Sequence, residues 1–156
     1  YGIDSPEFLK EVADVAEGVL GIIQWTPAIN WKDPIFGDVN EFLRVWRETY
    51  PGIDPDYTAV SCAATASYVV ELLRTLNLKP PLDKDAWDKI RTAAETTKIE
   101  TILGPIKYST DPKHWHVNLE LLPYVAIVQI QGGKLVIVSP EAAKQAEILF
   151  PKPSWR

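Results

Sequence analysis

The side chains best suited to meet a small molecule are aromatic and amide groups at segment boundaries. Trp25 and Thr26 end an apolar run, Asn30 and Trp31 follow in a proline-punctuated stretch, and Tyr57 precedes a run of small residues. A tryptophan or tyrosine presents a flat apolar wall with one polar handle. In open α/β sheets, ligands bind at the carboxyl ends of strands, which is where Trp25 and Thr26 would stand. These five residues are the candidate ligand contacts. The competing readings are hinge packing for Trp25, ordinary loop positions for Asn30 and Trp31, and a tyrosine packed at a helix start for Tyr57. Ser61 and Cys62, one turn beyond Tyr57, read as helix packing.

Catalytic and metal chemistry find little support. His114-Trp115-His116 would set two imidazoles on one face of an extended segment, yet no third ligand follows at a usual spacing. Asp33, Asp38 and Glu41 are spread as caps and solvated faces, and the sequence has neither a Ser-His-Asp order nor a glycine-rich phosphate loop. Neither an enzyme nor a cofactor is expected.

Composition narrows the partner. The chain has 156 residues, 46% of them apolar and 24% charged, which suits a globular domain with a core. A net charge of −5 without clustered Lys and Arg argues against nucleic acid. No apolar run approaches the roughly 20 residues that span a bilayer. The one cysteine, Cys62, forbids an internal disulfide. The absence of methionine suggests either that an upstream segment was removed or that the numbering begins inside a longer gene product, the second being the expectation.

Several elements must position these candidates. Ser5 to Val15 is predicted as an amphipathic helix, with Ser5 as cap and Pro6 at the first helical position. Val19 to Trp25 reads as a strand buried on both faces, as in a parallel sheet. Asp38 and Glu41 resemble a capping box before a helix carrying Val39, Phe42, Leu43, Trp46 and Tyr50 on one face. A second long helix follows Pro55-Asp56, ending near Asn77, and a third runs from about Asp83 to Thr96. Ile99 to Tyr108 is expected to be a strand interrupted at Gly104-Pro105. Tyr124 to Ile130 and Leu135 to Val138 read as a hairpin around Gly132-Gly133, followed by a helix from Ser139 to Leu149.

The order of these features is similar to the C-terminal half of type I solute-binding proteins of ABC importers, the branched-chain amino-acid type. The likeness begins with Glu17-Gly18-Val19 and Trp25-Thr26-Pro27, continues through a helix ending in Tyr50-Pro51, and reaches the small-residue helix after Pro55-Asp56-Tyr57. Glu100-Thr101-Ile102-Leu103-Gly104-Pro105-Ile106-Lys107-Tyr108 resembles that family's "ET-x-x-G-x-[IL]-x-[FYW]" strand. Val125 to Ile130 with Gly132-Gly133 resembles its last crossover strand and hairpin, and Phe150-Pro151-Lys152-Pro153 its "[YW]-P-x-P" tail.

The resemblance implies an α/β fold, a periplasmic-binding-protein-like type I clamshell, here incomplete because members are more than twice this length. It implies residues 1–24 as a piece of lobe two, 25–123 as the C-terminal part of lobe one, and 124–156 as the return to lobe two. Completing the sheets would need the missing N-terminal part, a second copy, or a rearrangement of the chain into small sheets of its own. The implied function is capture of a small solute, an amino acid or an aromatic or carboxylate compound, for delivery to an ABC permease in the membrane, in the periplasm or another extracytoplasmic space. A ligand-sensing domain of a receptor or regulator with the same fold is the alternative, and a small unrelated α/β enzyme a third reading. In that family the aromatic matching Tyr57 faces the solute.

Overall fold

A computed structural model describes residues 2–12, 15–113 and 125–152. The fold mixes helix and sheet, with four α-helices and three small antiparallel sheets among the described residues. The chain divides into two compact units, residues 1–29 with 124–156, and residues 30–123.

The first unit is built around a three-stranded sheet. β1 (Leu20–Ile23) pairs antiparallel with β6 (Ala126–Gln131), which in turn pairs with β7 (Lys134–Ser139). The β6–β7 turn is Gly132-Gly133, both at positive φ (59° and 71°), the backbone that a two-residue hairpin with right-handed twist demands. One sheet face carries Ile23, Val128, Ile130 and Ile137 into a core that also takes Ile3 and Ala16, covered by Phe8, Leu9 and Val12. Phe8, Leu9 and Val12 lie on α1 (Pro6–Val12), whose start is capped by the Ser5 hydroxyl accepting from Phe8 N at 3.2 Å.

This sheet corrects the expectation for residues 19–25. The strand is antiparallel to its partner and buried on one face only: Ile23 is in the core, whereas Leu20 and Ile22 are 52% and 58% exposed. A continuous apolar run suits burial on both faces, but here β1 is an edge strand, and Ile22 sits opposite Ile127 on the outer face.

The predicted helix over 139–149 is also corrected. Only Glu141–Ala143 form a short 3₁₀ turn; the chain then runs as an extended strap. Gln145 N donates to Ile137 O at 2.7 Å, Ile137 N donates to the Gln145 side-chain oxygen at 3.0 Å, and Leu149 N donates to the Gln129 side-chain oxygen at 2.8 Å. Tertiary hydrogen bonds outweigh the helical propensity of this segment, which amounts to tenths of a kcal/mol per residue.

In the second unit, β2 (Lys32–Asp33) and β3 (Gly37–Asp38) form a minimal ribbon leading into α2 (Val39–Thr49). Asp38 caps α2 by accepting from Glu41 N at 3.0 Å, while the Glu41 carboxylate is drawn to Arg44 rather than back to the cap, so half of the capping box forms. Asp56 and Asp83 cap α3 (Tyr57–Thr75) and α4 (Lys84–Thr96) in the same way, accepting from Ala59 N and Ala86 N. After Leu76 closes α3, Asn77 adopts positive φ (52°), a conformation that asparagine tolerates.

The sequence around Gly104-Pro105 forms a hairpin, not one interrupted strand. β4 (Ile99–Thr101) and β5 (Gly104–Ile106) turn at Ile102-Leu103, and the buried Thr101 hydroxyl closes the turn by donating to Gly104 O at 2.8 Å. Val60, Ala64 and Leu72 of α3 are buried, as are Val39, Phe42, Ile90, Ile102 and Ile106.

Candidate functional site

Each candidate side chain is held by its own local structure. Trp25 and Thr26 follow the end of β1 in the first unit. Thr26 is buried; its hydroxyl oxygen accepts from Ala28 N at 3.3 Å and its carbonyl accepts from Ile29 N at 3.3 Å, so it closes the turn over Pro27 to Ile29. Trp25 beside it is half-buried.

Asn30, Trp31 and Tyr57 belong to the second unit. Tyr57 opens α3, half-buried, and its carbonyl accepts from the Ser61 hydroxyl at 2.7 Å. That bond turns Ser61 back onto its own helix, while Cys62 is exposed. Asn30 is exposed, and its side-chain oxygen accepts from Val39 N, the first residue of α2, at 3.2 Å. Its amide nitrogen carries the donors that a carboxylate would meet. Trp31 is half-buried and stands between Asn30 and β2.

Asn30 and Trp31 share a segment with Lys32 and Asp33, which is tied to other elements by hydrogen bonds. Lys32 N donates to Glu100 Oε1 of β4 at 2.9 Å. Asp33, expected as a cap or solvated carboxylate, is buried. Its Oδ1 accepts from Ile35 N at 2.8 Å, Phe36 N at 3.0 Å and the Ser67 hydroxyl at 3.0 Å, and its Oδ2 accepts from Ile102 N at 3.1 Å. Four donors satisfy a carboxylate that burial would otherwise penalise by several kcal/mol. The local half of this pattern was readable, since an aspartate before Pro34 with a glycine at 37 is an Asx-turn signature. Ser67 and Ile102 lie 34 and 69 residues away, and no short motif announces them.

No family model matches this chain. Chemically, then, the site rests on its own side chains. A surface recess of about 380 Å³ adjoins the pinned segment, lined by Lys32, Asp33, Glu71, Lys98 and Glu100 among others. Its lining carries the ammonium groups of Lys32 and Lys98 and the carboxylates of Asp33, Glu71 and Glu100.

His114 and His116 lie outside the described residues. Among the described residues no group of three His, Cys, Asp or Glu side chains is arranged to hold a metal ion, and no helix is long and apolar enough to cross a membrane.

Proposed function

We propose that this chain is the C-terminal part of a type I solute-binding protein of the branched-chain amino-acid family, an incomplete periplasmic-binding-protein-like clamshell. In this reading it belongs to an extracytoplasmic ABC importer component that captures a small amino acid, aromatic or carboxylate solute between two lobes and hands it to the membrane permease. Hinge closure on the solute would be the signal that the permease reads.

The observation that carries the reading is the discontinuity of the first unit. β1 and β6, more than a hundred residues apart, pair as neighbours, with the whole second unit inserted between them. A chain that leaves one compact unit, builds another and returns is what a two-lobed protein with two crossovers requires. The sequence resemblance supplies the family, and the aromatic candidates Trp25, Trp31 and Tyr57 supply the preference for a flat or apolar solute. The outer face of the edge strand β1, with Leu20 and Ile22 exposed, is apolar surface of the kind that the missing N-terminal part of the parent or a second copy would cover.

A thermal-shift screen of the full-length gene product tests this function. A solute that binds the folded state raises its melting temperature by mass action. L-leucine, L-phenylalanine, benzoate and succinate at millimolar concentration are the probes, with a rise of several degrees expected from at least one. Stabilisation by none of them, or by a sugar or polyol only, would overturn the reading.

A further inference from the structure

We infer, independently of the function proposed above, that the open edge of β1 is a self-association surface. The β1 of a second copy pairs with it antiparallel and joins the two three-stranded sheets into one.

The two edges of this sheet are finished differently. The β7 edge is closed by the strap, since Gln145 N donates to Ile137 O at 2.7 Å and Ile137 N donates to the Gln145 side-chain oxygen at 3.0 Å. The β1 edge has no such cover. Val19 O accepts from Ile130 N at 3.0 Å, so Val19 directs its backbone groups at β6, and by strand alternation Gly21 and Ile23 do the same. The N–H and C=O groups of Leu20 and Ile22 therefore point away from the sheet, and among the described residues none bonds to them. Sheets ordinarily blunt such an edge with lysine, proline or an inward charge, whereas Leu20 to Trp25 contains no charged residue and no proline.

The occupant that fits this edge is β1 itself. With Gly21 opposite Gly21 across a two-fold axis, Leu20 of each copy stands opposite Ile22 of the other. Every open N–H and C=O of those two residues then gains a partner. A shift by one residue would put the bonding groups out of phase. The same register serves the side chains. Leu20 lies opposite Gln129 and Ile22 opposite Ile127 within one copy, so Leu20, Ile22 and Ile127 share the outer face and merge with their counterparts into one apolar stripe.

Area sets the strength of this contact. Leu20, Ile22 and Ile127, with Leu149 of the strap fastened beside them to Gln129, expose roughly 350 Å² per copy, the size of the patches that single domains reserve for interaction. Even with the paired backbone added, that falls short of the about 800 Å² per partner of a permanent complex, so the dimer is weak and reversible.

Sedimentation velocity of the 156-residue chain between about 10 µM and about 500 µM tests this, with amide hydrogen exchange read at both concentrations. The average mass is expected to climb from 17.5 kDa towards twice that value, and exchange at Leu20 and Ile22 to slow at least about twofold at the higher concentration. Ile22→Lys changes an exposed side chain and should hold the chain at the monomer mass. Trp87→Lys, at a comparably exposed residue of the second unit, should dimerise like the wild type. A wild type that is monomeric throughout overturns the inference, as does a folded Ile22→Lys that still dimerises. Dimerisation that leaves exchange at Leu20 and Ile22 unchanged overturns it too, a readout on the wild type that holds even if Ile22→Lys fails to fold. Growth into larger oligomers without a dimer plateau has the same consequence, because a two-fold edge contact closes at two copies.

Discussion

The side-chain amide of Gln129 makes with the backbone of Leu149 both hydrogen bonds that a neighbouring strand would make. Its Nε2 donates to Leu149 O at 3.2 Å and its Oε1 accepts from Leu149 N at 2.8 Å. The same Nε2 donates to Gly18 O at 3.0 Å, and Gln131 Nε2 donates both to Gln129 Oε1 at 2.8 Å and to Glu147 O at 2.7 Å. Two glutamines on alternate residues of β6 therefore fasten the strap to the sheet, and Gln129 is almost wholly buried in doing so.

Replacing Gln129 by leucine roughly keeps the volume and removes the bonds to Leu149, Gly18 and Gln131, leaving that from Gln131 to Glu147 O. The loss is expected to be about 2–4 kcal/mol, since a buried amide with several partners exceeds the roughly 1 kcal/mol of a single hydrogen bond. Chemical denaturation measures the total, and faster hydrogen exchange at Leu149 N would localise it. An unchanged exchange rate there would mean that the strap is held by something other than Gln129.

Neighbouring residues of β1 should respond oppositely to truncation. Ile23 points into the core and Ile22 to the outer face. Ile23→Ala is expected to cost about 2–4 kcal/mol, the usual result of emptying a packed site, and Ile22→Ala less than about 1 kcal/mol. Equal losses would show that both faces of the strand are covered.

Much of the second unit was legible because its helices announce their starts. Asp38, Asp56 and Asp83 each stand directly before the first residue of a helix, and each caps it. The Gly132-Gly133 turn was readable for the same local reason. What escaped the sequence depends on partners far along the chain. Glu141 to Leu149 has the composition of a helix, and its bonds to Gln129, Gln131 and Ile137 make it a strap. Val19 to Trp25 reads as doubly buried, because an edge strand with exposed isoleucine looks like a central one. In the candidate site, the loop around Asn30 and Trp31 was visible from its prolines. Its anchoring through Asp33 was not, because Ser67 and Ile102 are neutral partners without any spacing rule.

Glu17 gives the β6–β7 turn a support from outside the hairpin. Its carboxylate accepts from Gly132 N at 3.0 Å and Gly133 N at 3.4 Å, turning two turn amides towards one anion. Glu17→Ala should lower stability by about 1–2 kcal/mol, because hydrogen bonds to a charged acceptor are stronger than neutral ones and these are partly exposed. Gly133→Ala should cost a similar amount for a different reason, the strain of a side chain at φ 71°. The two effects act on one turn, so a double-mutant cycle should show coupling. Strict additivity would argue that Glu17 does not support the turn geometry.

Stability should also depend on alkaline pH through Tyr68. This phenol is buried on α3, its hydroxyl donates to Ala94 O at 2.9 Å, and its ring meets that of Tyr108 edge-on at 5.8 Å. Burial, with a lesser contribution from the charge of a Tyr108 phenolate, raises its pKa from 10.0 to about 12. The neutral form is the one the fold favours, so its contribution is complete below pH 10 and is lost as pH rises towards 12. Tyrosinate absorbance of the wild type minus that of Tyr68→Phe should therefore show a midpoint near 12, and the wild type should lose stability over that window more steeply than the variant. A difference midpoint near 10 would mean that the phenol is hydrated and that the bond to Ala94 is not maintained.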